Sequence, residues 1–425
     1  MATTGSSSSA ATPDRAPAAP DIVVGVPADG RVGADPGALV RAVAASLERR
    51  LEPGRWRIVL AHAARTPAAS AVDAAASNGH LREVQYTPQP GDALNVPFHG
   101  LSGRARAIEA ILRDAHAQQA RGCLLLDPRG AGAEGPFELM APILDGGADF
   151  VAPVYQRHPI AGALVHAIVY PLFRALYGAR LRYPMGPDFA CSSALIEAVL
   201  DEPVWGTEGS QIGIDLWMSA TALTGGFRVA QAAAGPGRQE PPAVDLGTTL
   251  SQIVGYLFSD MERRAAAWQR VRGSRPVAQG GHLQPVPEAP AVDPAALVES
   301  FRLASRELQD VWAEVLPPLA MLQWRRLAGV PVEAFHVDPA LWARTIYDFA
   351  MGHRLRVIAR DHLLRSLTPL YLAWLASFIG EVRHVPPEEA EARIERQCAV
   401  FESEKPYLVS QWRWPERFKP VKLRR

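Results

Sequence analysis

Apolar residues along this chain gather into short unbroken runs, separated by stretches in which they recur every three or four positions. Asp21-Ile-Val-Val-Gly-Val-Pro27 is such a run, ends at a turn residue and predicts a fully buried strand. Leu39, Val40, Val43 and Leu47 then keep helical spacing. A second apolar run, Trp56 to Leu60, precedes a helical stretch from about Pro67, and Glu83 to Thr87 reads as a strand. A helix is predicted from Ser102 to about Gln119, with Ile108, Ile111 and Leu112 on one face. Gly122-Cys-Leu-Leu-Leu-Asp127 reads as a central strand and Asp149-Phe-Val-Ala-Pro-Val154 as the next. This alternation predicts an α/β fold, a mostly parallel sheet with helices on both faces. Such sheets bind ligands beyond the carboxyl ends of their strands. The positions to inspect are therefore Pro27, the segment after Leu60, Asp127 and the residues after Val154.

Further along, Leu250, Ile253, Val254, Leu257, Phe258 and Met261 form a stripe of helical period. Residues 274–293 are rich in Pro and Gly and predict a linker or long surface loop. Beyond them strand signals fade. Leu367, Leu370, Tyr371, Trp374, Leu375 and Phe378 keep helical spacing, and Pro386-Pro387-Glu388-Glu389 resembles a helix start. The expected organisation is a lead-in over 1–20, an α/β domain over 21–273, the linker, and an all-helical domain over 294–425. The Ser-, Ala- and Pro-rich opening has the composition of a disordered segment and lacks the apolar core of a signal peptide. Ile160 to Tyr177 reads as the most apolar run after the opening, but His166, Pro171 and Arg174 break it, so it predicts a buried or amphipathic helix rather than a membrane span.

Charge changes little in this picture. Lys plus Arg and Asp plus Glu both number 44, so no net charge draws the chain to nucleic acid or to an anionic membrane. The basic closing residues, Arg417 to Arg425, read as a solvated tail. Cys123, Cys191 and Cys398 are scattered, with neither metal-ligand spacing nor a disulfide pattern, which fits a reducing, cytoplasmic setting. His158 and His166 read as structural histidines near apolar sequence.

Asp127 is the first candidate for chemistry, because it closes a central strand at the edge where ligands bind. A carboxylate there can hold Mg²⁺ or Mn²⁺ against substrate phosphates; an Asp in that place can equally serve a turn or a helix cap. Seven segments in order then resemble the retaining GT-A glycosyltransferases related to glucosyl-3-phosphoglycerate synthase and mannosylglycerate synthase. They are Asp21-Ile-Val-Val-Gly-Val-Pro27, Pro97-Phe-His-Gly-Leu-Ser-Gly-Arg-Ala105, Leu124-Leu-Leu-Asp-Pro-Arg129, Asp149-Phe-Val-Ala-Pro-Val-Tyr155, Tyr183-Pro-Met-Gly-Pro-Asp-Phe189, Gly213-Ile-Asp-Leu-Trp-Met218 and Gly226-Phe-Arg-Val229. The resemblance covers roughly 20–270, and the helical tail matches in kind.

The resemblance implies a GT-A nucleotide-sugar domain and a role for each matching residue. Pro27 would sit at the nucleotide end of the first strand, and Arg104 stands where the family has Lys in a Gly-Lys-Gly turn. Asp127 matches the first acid of the Asp-x-Asp metal motif, Gly186 and Asp188 a sugar-contacting turn, and Asp215 a carboxylate near sugar and acceptor. Simpler readings stand beside these: Arg104 as an exposed helix-start cation, Asp188 as a turn cap, and Asp215 as an acid near the start of a helix. The chain also departs from the pattern. Arg129 occupies the second acid position and would repel a divalent ion, Ala61-His-Ala-Ala-Arg-Thr-Pro67 carries no carboxylate, and no His follows Val229 through Glu240. Either ancestral chemistry has been lost, or Arg129 takes over the charge of the diphosphate by bidentate contact.

Two readings of function follow. One is transfer of a hexose, glucose or mannose by resemblance, from a nucleotide sugar to a small polar acceptor such as a glycerate-type acid. Asp215 and Asp188 would then be the catalytic pair. The other is a non-catalytic homologue acting as a nucleotide-sugar sensor or scaffold. The resemblance also implies a homodimer. A dinucleotide oxidoreductase is disfavoured, since Pro27-Ala-Asp-Gly30 lacks the Gly-x-Gly-x-x-Gly turn.

Overall fold

The computed structural model describes residues 19–28, 34–64, 80–87, 104–129, 136–206, 208–235, 246–281, 288 and 290–415. The proposed lead-in up to residue 18, the helix expected from Pro67, most of the Pro97–Ala105 segment and the basic tail lie outside them. In the first half the elements are β1 (Ile22–Ala28), α1 (Pro36–Glu48), β2 (Trp56–Ala63), β3 (Leu81–Tyr86), α2 (Arg104–Ala117), β4 (Gly122–Leu125), α3 (Pro136–Leu144) and β5 (Phe150–Val154). A π-helical turn, Val165–Val169, runs into α4 (Tyr170–Tyr177). Then come β6 (Phe189–Ser192), α5 (Ser193–Leu200), α6 (Glu208–Thr224), β7 (Val229–Ala233), α7 (Leu246–Arg263), α8 (Ala265–Trp268) and β8 (Ala278–Gly280). Six helices close the chain: α9 (Pro294–Glu307), α10 (Gln309–Val315), α11 (Pro318–Ala328), α12 (Pro339–Leu355), α13 (Arg360–Val382) and α14 (Pro387–Arg413).

The fold is α/β, with one mixed, mostly parallel sheet in the order β3-β2-β1-β4-β6-β5-β7-β8. Only β6 among these strands runs antiparallel to its neighbours, setting Cys191 opposite Cys123 on β4 and opposite Phe150 on β5. Alternation along β1 divides the core. Ile22, Val24 and Val26 pack with Leu39, Val40, Val43 and Leu47 of α1, whereas Val23 joins Ile108, Ile111 and Leu112 of α2 on the opposite face.

Several helices start on the same local device. Asp35-Pro36, Asp293-Pro294 and Asp338-Pro339 each place an Asp whose side chain accepts a backbone N–H of the first turn, followed by a Pro that needs no partner for its missing donor. The C-terminal helices share an apolar core with the second face of the sheet, in which Val298, Trp342, Trp374 and Phe401 join Ile168, Phe173 and Trp268. Polar ties cross the same boundary. Trp342 Nε1 donates to the Ala167 carbonyl at 2.8 Å, and Lys405 Nζ to the carbonyls of Ala175 and Val271 at 2.6 and 2.9 Å.

The segment expected to be a linker departs from that reading, because residues 278–280 pair with β7 as the sheet's edge strand. Of the described helices, α13 is long and apolar enough to cross a membrane, but 67% of its most apolar window is buried inside the protein.

Candidate functional site

The carboxyl end of β4 carries the centre of the site. Its chain continues into a turn at Asp127-Pro128-Arg129, where Asp127 Oδ1 accepts the backbone N–H of Arg129 at 2.9 Å. That is the Asx geometry of an Asp-Pro helix cap, used here to hold a turn. The turn folds the Arg129 guanidinium back onto the same carboxylate, with Nε 3.1 Å from Oδ1 and Nη2 2.8 Å from Oδ2. Pro27 lies one position before the end of the neighbouring β1 and is buried there. The register sets Gly25 opposite Leu125; continued two residues, it brings Pro27 level with Asp127.

Arg104 begins α2 with a side chain that is 0% exposed. The exposed-cation reading is therefore wrong: the helix delivers this guanidinium inward. It bonds Asp215 through Nε (3.3 Å to either oxygen) and through Nη2 (3.0 Å), donates to the Pro187 carbonyl at 2.6 Å, and sets Nη1 3.9 Å from Asp127 Oδ2. Asp215 sits in α6 two residues beyond a break in its helical geometry at Gly213 (φ −127°, ψ 20°). A β-carbon at Gly213 would fall 2.3 Å from the Tyr256 ring, so only the bare backbone lets α7 close against the bend that turns Asp215 towards Arg104.

Asp188 precedes β6 and ties the two strand ends together. Its Oδ1 accepts the Asp127 backbone N–H at 2.7 Å, and its Oδ2 accepts the Tyr155 hydroxyl at 2.6 Å. Burial, reinforced by the Asp127 carboxylate, pushes the Asp188 acid up to about 6. Gly186 has a packing reason to be glycine: a β-carbon there would overlap Pro153 Cγ of β5 at 2.1 Å.

Arg104, Asp127, Arg129, Asp188 and Asp215 thus form one buried cluster, with Pro27 at its strand edge. Two guanidinium groups face three carboxyl groups, so the cluster is neutral when Asp188 holds its proton. Pairing of this kind offsets the large cost of placing charges in a dry interior. It also occupies the carboxylate that a metal at the end of β4 would need. Both Asp127 oxygens are taken by Arg129, and among the described residues no group of three His, Cys, Asp or Glu side chains is placed to hold a metal ion. As folded, these residues do not fit Mg²⁺ or Mn²⁺. Sequence reasoning gave no role to two members of the site, Tyr155 and the Pro187 carbonyl. Tyr155 follows the end of β5 at the same sheet edge as Asp127, among the residues after Val154 that the strand-end rule marks; the carbonyl left no sequence signal.

No family profile matches this chain, and no curated protein matches it. Among the solved structures that match, one described as the crystal structure of a mycobacterial protein is similar over 57% of this chain and 74% of its own, with 19% identity and a TM-score of 0.39.

Proposed function

We propose that the chain is a GT-A-type glycosyltransferase that moves a hexose from a nucleotide sugar to a small polar acceptor without a divalent metal. One observation carries the reading: four residues singled out by family resemblance, from segments far apart in sequence, meet as Arg104, Asp127, Asp188 and Asp215 in a single cluster of hydrogen bonds and ion pairs. The mixed sheet, with the cluster at strand ends, supports it further.

In this reading Arg129 offers its guanidinium to the diphosphate in place of a metal, since arginine binds phosphate oxygens in a bidentate fashion and cationic clamps stabilise charge as it develops. The bond from the sugar C1 to the diphosphate oxygen breaks, and its electron pair leaves on the diphosphate. The acceptor hydroxyl oxygen bonds C1, and its proton passes to a phosphate oxygen. Asp215, held by Arg104, positions the sugar or acceptor, and Asp188 supports the floor of the site. The glucose or mannose donor, the glycerate-type acceptor and the homodimer belong to the same proposal.

A second reading is favoured by the pairing itself. Every carboxylate in the cluster already has a hydrogen-bond donor, as a non-catalytic nucleotide-sugar sensor would have. Titration with UDP- and GDP-sugars, with and without Mg²⁺, Mn²⁺ or EDTA, separates the readings. Transfer that survives EDTA and disappears in Asp215→Asn supports the enzyme. Donor binding without transfer supports the sensor, and no donor binding under any condition removes both.

A further inference from the structure

Nine of the ten tryptophans are buried, each at most 5% exposed, whereas Trp414, the residue after α14, is 71% exposed. A lone apolar side chain on a surface needs no explanation, but this ring stands on a fixed base. Trp412, two residues earlier, packs edge-on against Trp268 of α8 with ring centres 5.1 Å apart. The Arg354 guanidinium lies over the Trp412 ring at 4.3 Å, and its Nη1 donates to the Trp412 carbonyl at 2.6 Å. Arg413 Nε donates to Gln269 Oε1 at 2.9 Å. The end of α14 is thus tied to the turn after α8 and to the last turn of α12, and the next ring is left in water.

The chain around that ring is cationic. Arg270 and Arg272 follow Gln269 in the turn after α8, and Arg356 caps α12 two residues beyond Arg354. All three are exposed, and none has an ion pair among the described residues. Glu262 near the end of α7 is already engaged by Arg360 and His353; in the second half of α14, Arg174 engages Glu402 and Arg344 engages Glu404. The sequence extends the pattern. From 413 to 425 it carries six Lys or Arg against the single acid Glu416, with Trp414, Phe418, Val421 and Leu423 set among them. Basic residues interleaved with bulky apolar ones suit a lipid interface, where the rings enter the headgroup boundary and the cations meet anionic lipid. The zero formal charge of the whole chain does not oppose this, because such attraction acts within a Debye length and depends on local charge.

We propose that this corner of the protein docks on an anionic phospholipid surface, with the Trp414 ring entering the headgroup boundary and Arg270, Arg272, Arg356 and the basic residues after Pro415 meeting lipid phosphates. Nucleic acid carries the same charge, but bases stack on aromatic rings and gain little from aliphatic side chains such as Val421 and Leu423, which a bilayer accepts. The proposal stands apart from the aspartate–arginine cluster and does not depend on sugar transfer.

Sedimentation of the full chain with lipid vesicles tests this. Vesicles of phosphatidylglycerol and phosphatidylcholine should bind the wild type at low salt at least about tenfold more tightly than vesicles of phosphatidylcholine alone, and about 0.5 M NaCl should release it. Arg270→Gln/Arg272→Gln should weaken binding about tenfold or more, with an unchanged melting temperature, because both side chains are exposed. Phosphatidylcholine brominated near the top of its acyl chains, mixed into the anionic vesicles, should quench tryptophan emission in the wild type and not in Trp414→Phe, since the other nine rings are buried. Absence of binding, equal binding to neutral vesicles, no loss in the double variant, or quenching that persists in Trp414→Phe would each overturn the proposal. Tighter binding to polyuridylic acid than to the anionic vesicles at the same salt would assign the surface to nucleic acid instead.

Discussion

Arg104 and Asp215, 111 residues apart in sequence, meet in a buried ion pair with three nitrogen–oxygen contacts of 3.0–3.3 Å. The pair locks the start of α2 to the bend in α6, and the Pro187 carbonyl takes the remaining face of Nη2 at 2.6 Å. A buried pair of this sort adds little net stability over an apolar substitute, yet losing one partner strands the other.

Arg104→Met should therefore destabilise the protein by about 3–5 kcal/mol, because Asp215 would stay buried without its countercharge. The double variant Arg104→Met/Asp215→Leu should recover much of that loss. Arg104→Lys should fall between, since an ammonium cannot span the carboxylate and the Pro187 carbonyl with a planar fork. Urea unfolding of the wild type, Arg104→Met, Asp215→Leu and the double variant measures the non-additivity directly. Losses that simply add would show that the two side chains are not energetically coupled.

Asp188 makes stability depend on pH. Its folded-state pKa of about 6 lies above the ordinary 3.8, so the folded protein holds this proton more tightly than the unfolded chain. The favourable contribution is complete below pH ~4 and is lost as pH rises through ~6, a change of about 3 kcal/mol for two units. Asp188→Asn keeps an oxygen for the Asp127 N–H and an amide that can face the Tyr155 hydroxyl, and it does not titrate. The difference in unfolding free energy between variant and wild type should thus shift in the variant's favour from pH 4 to pH 7. A constant difference across that window would contradict the assignment.

The parts of this architecture that could be read from sequence are those governed by neighbours along the chain. The buried strands at Ile22, Trp56, Gly122 and Phe150 announce themselves as apolar runs, and the helix that buries Leu250 and Met261 by its period. The strand β8 does not, because its three residues lie at the sheet edge, largely exposed, and owe their conformation to pairing with β7. The strand β6 is four residues long, and its antiparallel direction comes from its partners β4 and β5. Within the site, Asp127 was visible as a strand-end acid. The burial of Arg104 and the bond between Tyr155 and Asp188 depend on contacts 111 and 33 residues away. Such contacts leave no local periodicity.

Gly186 tests how tightly the turn before β6 is seated. Gly186→Ala would drive a methyl group into the Pro153 ring, with the nearest atom at 2.1 Å, and neither the ring nor the strand beneath it can swing aside as a flexible side chain would. A cost of about 1–3 kcal/mol is expected, the usual range for overpacking. Because Asp188 follows two residues later, the displacement should also weaken its bonds to Tyr155 and Asp127. Thermal unfolding indistinguishable from wild type would mean that the turn is free to move off β5.

The Arg129–Asp127 pair makes metal binding at this turn testable. In the wild type its guanidinium satisfies both Asp127 oxygens, and a divalent ion approaching them would meet a fixed positive charge within hydrogen-bonding distance of its ligand. Arg129→Asp removes that charge and supplies a second carboxylate two positions along the same turn, a donor set suited to Mg²⁺ or Mn²⁺ with water completing the shell. The variant should bind Mn²⁺, detectable by loss of the free-ion paramagnetic resonance signal, while the wild type leaves that signal unchanged. Asp127→Asn in the Arg129→Asp background should abolish the gain, which ties the metal to this turn rather than to the surface. Mn²⁺ binding by the wild type that Asp127→Asn removes would show instead that the Arg129–Asp127 pair opens for a metal, and the metal-independent mechanism would fall with it.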